Sequence, residues 1–147
     1  MSRTEAATRS LVLERHLPHP PEKVWRALTE SSLLDQWLMQ NDFLPVVGHR
    51  FQFRAEPQPH WNGVSDCEVL DVAPGERLAY TWNASGEEAP GGLKTVVSWT
   101  LTPTAEGTQL RMEQSGFRPE EDARNIDGAR YGWPRFLDGL ERVVAEL

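Results

Sequence analysis

Two short runs of helical spacing stand between one N-terminal strand and a long stretch of alternating residues. They are Pro21-Glu22-Lys23-Val24-Trp25-Arg26-Ala27-Leu28-Thr29 and Leu33-Leu34-Asp35-Gln36-Trp37-Leu38. Before them, residues 10–17 alternate, with Leu11, Leu13 and Arg15 against Val12, Glu14 and His16, and read as a strand. Pro18 and Pro20-Pro21 stop that strand. A proline then opens the first helix, where its missing N–H costs nothing, and Glu22 suits the positive end of the helix dipole. Ser31 or Ser32 is the expected N-cap of the second helix.

Over 42–117 the period switches to two. Expected strands are 43–47, 50–56 with Phe51 and Phe53 on one face, 63–72, a run carrying Leu78, Tyr80 and Trp82, a run carrying Val97, Trp99 and Leu101, and one carrying Leu110 and Met112. Gly48-His49, Ala73-Pro74-Gly75-Glu76 and 104–107 are turns, and 86–92 is an exposed loop. Short connections argue for an antiparallel meander. From Trp133 the helical period returns through Phe136 or Leu137, Leu140, Val143 or Val144, and Leu147, with Asp138, Glu141, Arg142 and Glu146 on the other face. Pro134 either begins this helix or lies inside a longer one that starts near Glu121. The class is α+β: a meander with one apolar face curls around one long amphipathic helix, leaving a gap wherever bulky side chains do not fill it.

With 147 residues, 1–147 form one domain able to bury a core without disulfides, and 1–9 are expected to be a flexible N-terminus. A net charge of −7 leaves no basic footprint for nucleic acid and disfavours an anionic membrane surface. No apolar run approaches the ~20 residues that span a bilayer. The polar start, with Arg3, Glu5 and Arg9, is unlike a signal peptide, and a lone Cys67 suits a reducing compartment, so a cytoplasmic location is expected.

Polar residues offer little chemistry. His16, His19, His49 and His60 lack metal-binding spacing, so no metal site is expected; His19 and His49 sit beside turns, and only His60, next to Trp61, suits a pocket mouth. No G-x-S-x-G elbow is present, and Cys67 in mid-strand reads as a core thiol. Asp66 and Glu68 share a strand face. They are solvated if Cys67 and Val69 face the core, and become acid/base candidates if the register is reversed. Trp25 and Trp37 read as scaffold, whereas Trp82, Trp99 and Trp133 fill a core or line a cavity equally well.

The ordered motifs 20–29, Leu34 to Leu38 with Trp37, Gly48 before Phe51-Gln52-Phe53, Leu78-Ala79-Tyr80-Thr81-Trp82, Gly107-Thr108-Gln109-Leu110 and Gly132-Trp133 before Phe136-Leu137-Asp138-Gly139-Leu140 resemble the START-like, or SRPBCC, superfamily. Within it they resemble the group related to the C-terminal domain of the activator of the ninety-kilodalton heat-shock chaperone ATPase. Ser31-Ser32 stands where proline is common, and His49 replaces the second glycine of a common pair. The resemblance implies a helix-grip (Bet v 1-like) fold and a bacterial-type, stress-related protein, but a cavity rather than a substrate. Its implied use is binding a small apolar or aromatic molecule between sheet and C-terminal helix. Alternatives are a module that contacts a chaperone or other protein partner, and a polyketide cyclase-like enzyme. Candidate cavity residues are Phe51, Phe53, Trp61, Tyr80, Trp82, Val97, Trp99, Met112, Trp133, Phe136, Leu137 and Leu140. No catalytic residue and no cofactor are assigned, and a monomer or homodimer is expected.

Overall fold

The computed structural model describes residues 8–59 and 61–147. Strand β1 (Arg9–Leu17) leads to helices α1 (Pro21–Thr29) and α2 (Ser31–Trp37). Strands β2 (Gln40–Asn41), β3 (Arg50–Arg54), β4 (Val64–Ala73), β5 (Arg77–Ala84), β6 (Lys94–Thr104) and β7 (Gly107–Phe117) follow, and helix α3 (Ala123–Ala145) closes the chain. All pairings are antiparallel, in the order β1-β7-β6-β5-β4-β3-β2. The first strand therefore pairs with the last, and the meander fills the rest of the sheet. This is the α+β helix-grip architecture.

Alternation sets the inner face. Phe51 and Phe53 on β3, Cys67 and Val69 on β4, Leu78, Tyr80 and Trp82 on β5, Val97, Trp99 and Leu101 on β6, and Leu110 and Met112 on β7 are all buried. They meet Trp133, Leu137, Leu140, Val143 and Val144 of α3, while Val24, Ala27 and Leu28 of α1 and Leu33, Leu34 and Trp37 of α2 complete the core. Gly139 lets α2 approach α3: a Cβ there would lie 3.3 Å from that of Trp37.

Three local expectations change. Residues 43–47 form no strand; the strand beside β3 is Gln40–Asn41, and Phe43 instead buries its ring against Phe51 and Tyr80. Glu30, not Ser31 or Ser32, holds the N-cap position of α2, without a side-chain cap bond. Ser31 donates instead to the Asn41 side-chain oxygen at 2.8 Å, tying the helix to β2. Of the two readings of Pro134, that of a longer helix holds: α3 starts at Ala123 and Pro134 lies inside it. It removes one bond from the helical ladder, and Arg15 of β1 reaches the Pro134 carbonyl at 3.3 Å. Finally, Asp138 and Glu141 are more than a solvated face: both accept from Arg15, at 2.9 and 2.6 Å. The flexible N-terminus expected over 1–9 falls mostly on 1–7, outside the described residues, while Arg9 already pairs with Phe117.

Candidate ligand cavity

The grip is packed at one end and open at the other, and side-chain volume on α3 accounts for the difference. Its second half turns Leu137, Leu140, Val143 and Val144 into the core. Its first half turns Ala123, Gly128, Ala129 and Gly132 toward the sheet, and a Cβ added to Gly128 would meet nothing within 4 Å. Small residues there leave a cavity of about 1060 Å³. It is bounded by this half of α3, the ends of β5 and β7, the loop before β4 and the loop between β5 and β6. Gly63 fixes the first of those loops, at φ +88° and so close to the Ala55 carbonyl that a Cβ would lie 2.4 Å from its oxygen.

Of the candidates read from the sequence, Trp61, Trp82, Trp133 and Phe136 stand in the cavity wall. Phe51, Phe53, Tyr80, Val97, Trp99, Met112, Leu137 and Leu140 lie below it in the packed interior. An aromatic chain connects the two zones. Phe136 meets Trp133 edge to face at 5.7 Å, Trp133 meets Trp82 at 5.5 Å and Trp99 at 5.7 Å, and Trp82 stacks on Phe53 at 4.9 Å. Such contacts contribute ~0.5–1.5 kcal/mol each beyond buried area. The Trp99 indole donates to the Tyr80 hydroxyl at 3.0 Å, and burial pushes the Tyr80 pKa up.

The sequence reading missed Ser65, Gln114, Met39, Leu93 and Phe117, which also line the cavity. Inward strand parity would have found Ser65 and Gln114, and the small residues at 128, 129 and 132 on one helical face would have located the opening. Gln114 accepts from Trp133 Nε1 at 2.8 Å and donates to Thr95 Oγ1 at 3.0 Å; Thr95 then donates to the Trp82 carbonyl at 2.6 Å. This buried relay pins α3 to β5, β6 and β7.

At the mouth, Asp122 is only 1% exposed. It accepts from the Arg118 backbone at 2.6 Å and from the Arg118 guanidinium at 2.8 and 3.0 Å. Arg118 also donates to the carbonyls of Gly91 and Gly92, so this pair joins the β5–β6 loop to the start of α3. Desolvation acts to raise the Asp122 pKa, but the Arg118 hydrogen bonds and charge outweigh it and hold the carboxyl below its ordinary value.

Titratable groups of the cavity lining, Glu88, Glu120, Glu121, Arg124 and Tyr131, all sit exposed at its rim. Asp66 and Glu68 are on the outer sheet face, as the burial of Cys67 and Val69 requires; Asp66 accepts from Gln52 at 2.9 Å and from Ser85 at 2.8 Å. Burial drives the Cys67 thiol pKa far up, so it carries no thiolate. His16 and His49 make local contacts, with Thr104 and the Asp42 carbonyl; His60 lies outside the described residues. Among the described residues no group of three or more His, Cys, Asp or Glu could hold a metal ion, and no helix is long and apolar enough to cross a membrane.

Among solved structures, protein MLL2253 from Mesorhizobium loti is 52% identical, with a TM-score of 0.85 over 94% of this chain and 98% of that one. Protein BH1534 from Bacillus halodurans is 26% identical, with a TM-score of 0.75 over 92% of this chain and 96% of that one. DynU16, a protein in the dynemicin biosynthetic locus, is 26% identical, with a TM-score of 0.76 over 92% of this chain but 47% of its own. No curated protein matches the chain. The family model described as activator of Hsp90 ATPase homolog 1-like protein matches residues 18–145. Fold, motif order and this near-complete match agree, and the chain belongs to the activator of Hsp90 ATPase homolog 1-like family.

Proposed function

We propose that this protein binds a small apolar or aromatic molecule in the cavity between the sheet and the first half of α3. The observation that carries the reading is the cavity itself: about 1060 Å³, walled by Trp61, Trp82, Trp133, Phe136, Leu93 and Phe117. Ligand pockets are of this kind, concave and mostly apolar with a few polar groups that fix orientation. Catalysis is the weaker reading, because acid and base groups of the described lining stand at the rim and not against the interior. Native mass spectrometry of freshly purified protein tests the proposal. A co-purifying adduct of a few hundred daltons is expected. Bare protein, together with unchanged tryptophan fluorescence on titration with Nile red, would overturn it.

A second reading, contact with a protein partner, is favoured by one feature. The loop ahead of β3 exposes Leu44, Val46 and Val47, each more than half accessible, beside an exposed Leu70 on β4. Hydrogen bonds from the Gly48 amide to the Val69 carbonyl and from the Val69 amide to the His49 carbonyl hold the loop there. Its test is direct: Val46→Asp with Val47→Asp should abolish any stimulation of a chaperone ATPase while leaving ligand uptake intact.

A further inference from the structure

Two buried hydrogen-bonding groups on the cavity wall have no partner among the described residues. One is the hydroxyl of Ser65, a residue 2% exposed on the inner face of β4; the other is the indole N–H of Trp82, 9% exposed on β5. Every other buried tryptophan spends its N–H inside the protein: Trp37 on the Ala27 carbonyl, Trp99 on Tyr80 and Trp133 on Gln114. A buried polar group without a partner is costly, and native proteins retain few of them. Here two occur on one wall. Ser65 pairs across the strands with Ala84, so Trp82 is its diagonal neighbour on the same face, within reach of one bound molecule.

From this pair we infer that the ligand is a neutral, flat ring system carrying a hydrogen-bond-accepting oxygen, held by Ser65 Oγ and Trp82 Nε1. An indole nitrogen only donates, so its partner must accept. A carbonyl or ether oxygen takes one hydrogen from each group through its two lone pairs. The rings of Trp82, Trp133 and Phe136 offer faces and edges to a planar body. Charge narrows the class further. Glu88, Glu120 and Glu121 outnumber Arg124 at the rim, so an anion would enter against the local field.

This inference rests on the cavity being a ligand site, and a matched pair of probes separates the two ideas. 9-Fluorenone and fluorene share a shape and differ in one carbonyl oxygen. Their dissociation constants can be measured by equilibrium dialysis on the wild type, Ser65→Ala, Ser65→Thr and Trp82→Phe. Ser65→Ala should weaken fluorenone roughly tenfold, the value of about one hydrogen bond, and leave fluorene within about twofold. Trp82→Phe should have the same selective effect, and Ser65→Thr should restore fluorenone binding. The melting temperature of Ser65→Ala should not fall, since no internal bond is lost. If both probes bind the wild type and the variants shift them equally or not at all, the polar anchor is wrong and the cavity reading stands. If neither probe binds the wild type, both fail.

Discussion

Trp133 and Gln114 join the long helix to the sheet through a single bond of 2.8 Å between the indole N–H and the amide oxygen. Both residues are at least 97% buried. The Gln114 amide also supplies Thr95. Gln114→Ala should destabilise the protein by ~2–4 kcal/mol in urea denaturation, because it leaves both an orphan donor and a void. In a double-mutant cycle with Trp133→Phe, the combined loss should fall short of the sum by at least ~0.5 kcal/mol. Strict additivity would mean that the bond carries nothing.

The buried and exposed sides of α3 should respond very differently to charge. Leu140 has no exposed surface. Leu140→Asp must bury an unpaired carboxylate or protonate it, and should cost several kcal/mol. Glu141→Ala removes a contact with Arg15 whose acidic partner is 39% exposed, so the loss should stay below ~1 kcal/mol. Chemical denaturation of the two variants side by side decides the matter; equal midpoints would mean the helix is not gripped.

Stability should carry the signature of Asp122. Its pKa is lower in the folded protein than in the unfolded chain, so its contribution is present above the ordinary carboxylate pKa of ~4 and is lost as pH falls through the folded value. Asp122→Asn should therefore be less stable than the wild type by a steady amount from about pH 5 to about 7. The gap should begin to narrow below about pH 4 and close only once the pH falls below the lowered folded pKa. A gap that persists into acid would show that Asp122 acts by shape and not by charge.

Gly128→Ala should raise stability by up to ~1 kcal/mol. It removes backbone freedom from a helical position, and the new methyl group meets nothing within 4 Å. Thermal melting of the variant checks this, and a fall in the midpoint would mean that the helix needs a glycine there.

Much of the fold could be read from the chain because burial follows the period. The inner faces of β3 to β7 follow alternation at Phe51, Phe53, Tyr80, Trp82, Val97, Trp99 and Met112, and the stripe on α3 follows the helical period. What escaped was the placing of single side chains. Phe43 packs its ring inward without ladder bonds of its own strand, so its apolarity resembled a strand residue. Arg15 shares a face with Leu11 and Leu13 of β1 because its guanidinium reaches α3, and that pairing spans 123 and 126 residues of sequence. The cavity was harder still. A gap is written in the residues that are too small to fill it, and a search for large aromatic residues finds floor and wall alike.

The gradient of side-chain size along α3 has a consequence for how such a protein can change. Strands and the lower helix carry the packing, and a short run of glycine and alanine on one helical face sets the room above it. The volume of the cavity can then be altered by replacing residues that bear almost none of the core. Cavity size and foldability are set by different parts of the same helix, so one can drift while the other is held.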